Sequence, residues 1–207
     1  MRAPRPTESG SILVEFVLSS LFWVPLLMGT FVVGLNLVRA IQVMQICRDA
    51  GHMFAYGVDF SQAGNQNLLI RLTSGLNFSI GGGNGVVIFS TLSGIGALQC
   101  TAAGYQADTA HCPNINQIVF TRRIVVGNSS KRASNFGTPG SGTVDANGYI
   151  AASYYLTNIS ERATGFSSLL PLAAGQLAYL TETYLASPDI DWTNFMTGTG
   201  VYARTIF

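Results

Sequence analysis

Few residues in this chain have the types and spacing that catalysis or metal binding requires. The two histidines, His52 and His111, and the three cysteines show no Cys/His spacing typical of a zinc site. The Gly-Gly-Gly-Asn-Gly sequence at 81–85 lacks the Lys-Ser or Lys-Thr pair of a phosphate-binding loop and predicts a turn between strands. No Ser-His-Asp order or pair of carboxylates stands out. We therefore expect no enzymatic activity, no metal ion and no cofactor.

One carboxylate is unusual because of its position. Glu15 lies five residues after Gly10, just before twenty residues without a charge, 16–35. In a helix these twenty residues measure about 30 Å, the thickness of a bilayer core. A lone charge at the centre of such a helix costs about 2.5–3.5 kcal/mol. Glu15 is therefore expected either near the membrane surface or next to a partner.

The apolar run predicts a membrane-spanning segment over about 12–36, with Pro25 as the position of a kink. Arg2 and Arg5 precede it, which favours a cytoplasmic N-terminus and an extracytoplasmic remainder. A secretory signal peptide is disfavoured because the apolar core is too long and begins with an acid. A plain membrane anchor remains open at this point.

The helical pattern continues beyond the apolar run. Leu37, Ile41, Met44, Cys47 and Phe54 recur mostly at spacings of three and four, which predicts one buried helical face. A glycine at 57 is placed to end the helix. We therefore expect one long helix over 11–57, which begins in the membrane and ends in a domain.

The remainder, 58–207, is rich in Gly, Ser, Thr and Asn with short β-branched runs. Strands are predicted near 85–92, 116–128, 148–157 and 175–187, and a short helix near 68–76. The fold class is therefore α+β: a long N-terminal membrane-spanning helix followed by a small, mostly antiparallel β-sheet domain. A composition with 10% charged residues and a single lysine argues against a nucleic-acid partner.

Three cysteines allow three pairings, of which Cys100–Cys112 is favoured. The two enclose a Gly/Ala-rich loop in a domain expected outside the cytoplasm, where a disulfide stabilises by about 3 kcal/mol. Cys47 is expected to be a small buried residue. Asp189, Asp191 and Asn194 lie close together, but they lack the further ligands and the glycine of a calcium loop, which favours an ordinary loop.

The N-terminal region carries a family resemblance. Gly10, Ser-Ile-Leu-Val, Glu15 and Phe16 resemble the G-x-x-x-x-E-F processing site of type IV prepilins, and residues 9–60 resemble TadE-like pilins and pseudopilins of the tight-adherence (Flp/Tad) system. The resemblance implies that 1–10 is a leader and that a prepilin peptidase cleaves between Gly10 and Ser11. It also implies that Glu15 meets the new Ser11 ammonium group of a neighbouring subunit and sets the register of assembly, beside Phe16. The tail, 187–207, is similar to the end of TadE-like proteins, where a final strand returns to the sheet.

Major Flp pilins are little more than the helix, so a chain with about 150 further residues resembles a minor pilin or pseudopilin. The resemblance implies a bacterial inner-membrane precursor that joins an adhesive surface filament. Its expected partners are other pilin subunits, the prepilin peptidase, the Tad secretion machinery of the inner membrane, and membrane lipid. The alternative is a membrane-anchored surface-binding module that does not polymerise. Its binding face would use aromatic side chains that otherwise pack in the core: Tyr154, Tyr155, Tyr179, Tyr184 and Trp192.

Overall fold

The computed structural model describes the backbone of residues 9–186 and 200–207, and their side chains from residue 12 onwards. Most of the expected leader, 1–8, lies outside the described residues. The same is true of four residues that the sequence analysis singled out, Asp189, Asp191, Trp192 and Asn194. The chain divides into two compact units, Met1–Ile41 and Gln42–Phe207, and the first helix contributes residues to both.

Helix α1 spans Ser9–Ala55 and continues through Pro25. It ends where the sequence predicts, because Gly57 adopts a positive φ of 89°. The amide of Val58 donates to Met53 O at 2.9 Å, and that of Gly57 donates to Phe54 O at 3.0 Å. This pair of hydrogen bonds is a Schellman motif, which satisfies the last carbonyl groups of the helix.

The second unit is built on a four-stranded antiparallel sheet. Its long strands are β3 (Gly85–Gly94), β4 (Ile118–Gly127), β5 (Leu177–Ala186) and β6 (Gly200–Ile206), in the order β4-β3-β5-β6. The short strands β1 (Phe78–Ser79) and β2 (Gly82–Gly83) form a separate hairpin before β3. The fold is thus α+β, with a long apolar helix followed by a small antiparallel sheet domain.

One face of the sheet packs on the end of α1. Ile46, Ala50 and Phe54, spaced by four residues, are buried against odd-numbered residues of β3 such as Phe89. The rings of Phe54 and Phe89 lie 5.2 Å apart, and Phe60 stacks on Phe89 at 4.3 Å. Helix α2 (Ala63–Leu72) adds Leu69 to this core. This is the hydrophobic centre of the domain.

The long connection between β4 and β5, 128–176, covers the opposite face. Phe120, Phe166 and Leu180 are completely buried there. The connection contains helix α4 (Ala152–Thr157) and two short 3-10 turns, Ile159–Glu161 and Phe166–Ser168. A further short helix, α3 (Ala97–Ala102), precedes β4.

Three details of the sequence prediction were wrong. The strand expected at 148–157 is mostly α4, because Ala152, Tyr155 and Leu156 have helical spacing and pack together in one cluster. The helix expected at 68–76 begins at Ala63, because its first turn is polar and escapes an apolar pattern. The turn expected over 81–85 is shorter: the hairpin turns at Ile80 and Gly81, and the glycines that follow form β2.

The buried face of α1 also differs from the prediction. Cys47 and Phe54 are buried, as expected, but Met44 is 53% exposed and Ile41 is 43% exposed. The residues in contact with the sheet are instead Val43, Ile46, Cys47, Ala50 and Phe54. The face is rotated because the small Cys47 and Ala50 allow the helix to approach the sheet closely, whereas the larger Met44 does not contribute.

Candidate functional site

The N-terminal part of α1 exposes large apolar side chains on all sides. Ile12, Phe16, Phe22 and Phe31 are each at least 68% exposed, and so little apolar surface is covered within the chain. By length and composition, Ile12–Ala55 contains a segment suited to cross a membrane. A surface of this kind is compatible with a membrane or with other apolar helices.

Polar groups in this segment differ in how they are satisfied. The Ser20 hydroxyl donates to Val17 O at 2.9 Å, and the Thr30 hydroxyl donates to Leu27 O at 2.9 Å. These bonds within the helix make both hydroxyls tolerable in hydrocarbon. Glu15 has no such partner among the residues that the structure describes. Its carboxylate is exposed and available to a group outside the chain.

The predicted cleavage site and the glycines of the segment lie on the same helix. Gly10 and Ser11 have helical backbone, and their side-chain surroundings are not described. A Cβ added at Gly29 or Gly34 would meet nothing within 4 Å. A shallow apolar groove of about 460 Å³ surrounds Gly34. Its walls are formed by Leu27, Thr30, Phe31, Leu35 and Val38. Glycines such as Gly29 and Gly34 allow a second helix to approach closely.

The cysteines of the sheet domain pair as the sequence analysis favoured. Cys100 and Cys112 form a disulfide with a Cα–Cα distance of 6.1 Å, and both are fully buried. Cys47 is free and buried, and its thiol lies 3.4 Å from Thr181 O. His111 lies within the loop that the disulfide closes, and it contacts the Asp108 carboxylate at 2.9 Å. These contacts hold the α3 region together and leave no thiol at the surface of the described part.

The aromatic side chains considered for a binding face are not gathered on one surface. Tyr184 is 9% exposed, and Tyr179 and Tyr155 are half-buried against the core clusters. Only Tyr154, at 46%, is exposed among the four that are described. Their contacts are mostly those of core packing, the other role that the sequence analysis gave them.

Sequence reasoning missed a group of buried charges between the sheet and the covering connection. Glu182 is 2% exposed, and its carboxylate accepts hydrogen bonds from Asn135 N at 2.9 Å, Tyr202 Oη at 2.7 Å and Ser134 Oγ. Burial and the adjacent Glu182 raise the pKa of Tyr202 above its ordinary value. The carboxylate thus ties the start of the connection to β5 and β6.

Two further charges are buried here, Arg123 of β4 and Glu161 of the connection itself. Burial lowers the pKa of Arg123 to about 10, although the negative charges of Glu182 and Glu161 oppose this shift. Arg123 donates to Gly137 O at 2.9 Å, and its guanidinium lies over the ring of Phe120. Glu161 is completely buried and accepts from Gly140 N at 2.9 Å. These charges hold the backbone of the connection in place at Gly137 and Gly140.

The sequence did contain a signal for Glu182. Strand alternation in Leu177–Ala186 places Glu182 on the same face as Ala178, Leu180 and Tyr184, all of them buried. A carboxylate in the middle of a ten-residue apolar strand predicts a buried hydrogen-bonded acid. Arg123 shares this signal, because it lies in the middle of the apolar strand β4. Glu161 lacks such a local pattern, because it lies in a long connection that only the tertiary structure brings into place.

An ion pair joins the end of α1 to the sheet. Asp59 Oδ1 lies 2.5 Å from Arg122 Nη2, and it also accepts from Ser61 N at 2.9 Å. Burial opposes ionisation of Asp59, but the hydrogen bonds from Ser61 and the positive charge of Arg122 outweigh it, so the pKa of the carboxyl falls below its usual value. Arg122 also lies over the Tyr149 ring at 4.2 Å.

Within the described residues, no three His, Cys, Asp or Glu side chains are gathered as a metal ion requires. On the apolar helix, Glu15 is a carboxylate without a partner among the described residues. Comparison with protein-family models, with curated proteins and with solved structures found no match for this chain.

Proposed function

We propose that this chain is a TadE-like minor pilin or pseudopilin of a tight-adherence filament, with no enzymatic activity of its own. It would be inserted in a bacterial inner membrane with the sheet domain outside the cytoplasm, and cleaved by a prepilin peptidase between Gly10 and Ser11. It would then join, or initiate, a surface filament that functions in adhesion, with the help of the Tad secretion machinery.

The observation that carries the proposal is Glu15 on the exposed apolar helix. The carboxylate lies five residues beyond Gly10, and the Ser20 and Thr30 hydroxyls are satisfied by their own helix whereas Glu15 has no partner among the described residues. Cleavage after Gly10 would create an ammonium group at Ser11, and the same group on a neighbouring subunit is the partner that Glu15 requires. A charge pair in a medium of low dielectric is favourable, whereas either charge alone is costly there.

The remaining cohesion would come from the apolar helix surface. Phe16 and the other exposed side chains of 12–38 supply the contact area, and Gly29 and Gly34 leave room for a second backbone. Close packing of helices would thus hold the subunits together, while the pair between Glu15 and Ser11 would fix their register.

Mass spectrometry of the mature protein from cells with an active prepilin peptidase is the direct test of processing. We expect an N-terminus at Ser11 and its loss in a Gly10→Val variant. A mature protein that keeps residues 1–10 would show that the chain is not a prepilin. So would one that begins at Ile41, because a signal peptidase would then have cut after the small-residue sequence Val38-Arg39-Ala40.

Assembly is tested by Glu15→Ala, with Ser20→Ala as the matched control. Both substitutions remove a polar group from the same helix, but the Ser20 hydroxyl is already satisfied within it. We expect Glu15→Ala to keep membrane insertion and to abolish recovery of the protein in sheared surface filaments, whereas Ser20→Ala assembles normally. An anchored module that does not polymerise would be indifferent to both substitutions.

A further inference from the structure

The two edges of the sheet differ in how they are covered. Backbone of the long connection pairs with the outer side of β4: Gly148 O accepts from Arg123 N at 2.7 Å, and Ala163 N donates to Ile118 O at 2.9 Å. The Arg122–Tyr149 bridge adds a further pairing. No described segment pairs in this way with the outer side of β6. Among the described residues, β6 is therefore the open edge.

The hydrogen-bond phase of β6 shows which backbone groups face outward. Phe207 and Tyr179 exchange two backbone hydrogen bonds, Phe207 N to Tyr179 O at 2.9 Å and Tyr179 N to Phe207 O at 2.8 Å. In an antiparallel pair such exchanges recur at every second residue. The N–H and C=O groups of Tyr202, Arg204 and Ile206 consequently point away from β5.

Apart from one charged side chain, Arg204, the described part of this edge lacks the features that usually block strand addition. Gly200–Ile206 contains no proline and no lysine, and its register with β5 runs without a bulge. Val201 and Thr205 are β-branched and favour extended backbone. The strand thus presents a regular ladder of donors and acceptors, and this is the surface to which an extended peptide adds in β-augmentation.

The side chains at the edge indicate the charge of the partner. Arg204 is exposed, and Arg132 lies over the Tyr202 ring at 4.4 Å on the same side of the sheet. The ion pairs of the described residues include neither arginine. Glu182 lies opposite Arg204 in register, but its oxygens accept hydrogen bonds from groups of the chain itself. Neither Arg204 nor Arg132 therefore has an ion-pair partner among the described carboxylates.

We propose that β6 is a docking edge for an extended acidic segment of another protein chain, which adds as a fifth strand and places a carboxylate against Arg204 and Arg132. That this other chain is a filament subunit rests on the proposed function, whereas the docking edge itself does not. A second copy of this chain is the poorer occupant, because it would bring the same two arginines to the shared edge.

The experiment uses the full chain in detergent and two synthetic peptides. One alternates Glu with Val and Thr, and the other has Lys at every Glu position. We expect the acidic peptide to bind and to slow hydrogen exchange at the amides of Tyr202, Arg204 and Ile206. The lysine peptide should bind more weakly by about ten-fold or more, because like charges then meet at the edge.

Substitutions at position 204 distinguish the contribution of the backbone N–H to peptide binding from that of the arginine side chain. Arg204→Pro removes an outward N–H that β5 does not use, and proline is tolerated at such edge positions. Arg204→Ala keeps the N–H and removes the charge. We expect Arg204→Pro to abolish binding of the acidic peptide, and Arg204→Ala to retain weak binding with little preference between the two peptides. Ala203→Pro removes a donor to β5 and serves as the control for damage to the sheet.

Four results would overturn the proposal. The first two are that the acidic peptide does not slow hydrogen exchange, or that both peptides bind the natural chain equally. The others are that the acidic peptide binds a folded Arg204→Pro variant as well as the natural chain, or that the amides of Tyr202, Arg204 and Ile206 exchange slowly before peptide is added. In the last case the edge is already covered, by residues 187–199 or by a second copy, and size-exclusion chromatography with light scattering tells these apart. If Arg204→Pro does not fold, the exchange experiment on the natural chain decides. Peptide binding does not require cleavage after Gly10. This test can therefore fail while the pilin proposal stands, and the pilin proposal can fail while the docking edge is supported.

Discussion

At Gly51, α1 lies so close to the sheet that there is no room for a Cβ. A Cβ added there would lie 2.5 Å from Thr205 Cγ2, 2.8 Å from Phe207 Cε2 and 3.3 Å from Thr181 Oγ1. Carbon atoms in contact are normally about 3.5–4.0 Å apart. A Gly51→Ala substitution therefore requires the helix and β6 to separate by about 1 Å at this point.

The expected loss of stability follows from two opposing contributions. Overpacking of a core by one methyl group costs typically about 1–3 kcal/mol, and the upper half applies here because Thr205 is held within a strand. Alanine is better than glycine inside a helix by about 1 kcal/mol. The net loss is then about 1–2 kcal/mol, which for a domain of this size lowers Tm by about 2–8 °C.

Thermal unfolding of the full chain in detergent, followed by near-ultraviolet circular dichroism, measures this loss. Gly34→Ala is the matched control, because nothing lies within 4 Å of its added Cβ. Thr205→Ser removes the closest methyl group and should restore most of the stability of Gly51→Ala, because the Phe207 ring can rotate away from the added Cβ. Equal Tm values for Gly51→Ala and the natural chain, or no rescue by Thr205→Ser, would refute the close contact between helix and sheet.

Two further predictions concern the disulfide and the ion pair. Replacement of Cys100 and Cys112 by alanine should lower the free energy of unfolding by about 3 kcal/mol. A reductant should destabilise the natural chain similarly and leave the double variant unchanged, so a reductant effect on that variant would contradict the assignment. The pKa of Asp59 is lower in the folded protein than its unfolded value of about 3.9. The ionised Asp59 carboxylate therefore stabilises the folded protein fully above this unfolded pKa, and the stabilisation is lost as the pH falls through the lower, folded pKa. Asp59→Asn should therefore lower Tm at neutral pH and make Tm less dependent on pH below about 4, whereas an unchanged pH profile would refute a role for the ion pair with Arg122.

The elements with strong local patterns could be predicted from the sequence. The apolar run of α1, the glycine at 57 and the β-branched runs of β3 and β4 each specify their own conformation, and the structure places these elements where the sequence indicates. Helix α4 could not be predicted in this way, because Ala152, Tyr155 and Leu156 form a face only against the disulfide region. Short segments with mixed composition take their conformation from tertiary contacts.

Of the two candidate functional features, Glu15 could be predicted from the sequence and the open edge of β6 could not. Glu15 is conspicuous in the sequence, because a carboxylate beside twenty apolar residues breaks the local pattern. The open edge of β6 is invisible there, because it depends on the strand order and on the path of the connection that covers β4 instead. Edge position is a property of topology, and no local feature of Gly200–Ile206 distinguishes it from a strand inside the sheet.

The changing pattern along α1 explains how a single helix meets two different environments. Between 12 and 38 the large apolar residues occupy every side of the helix, so no face is preferred and the surroundings themselves must be apolar. From Val43 to Phe54 burial recurs every three or four residues, and polar side chains such as Arg48 occupy the other sides. The change falls where the compact units divide, at Ile41 and Gln42. We therefore expect a charge placed at Phe22 to oppose insertion into lipid, and the same charge placed at Phe54 to oppose folding of the sheet domain.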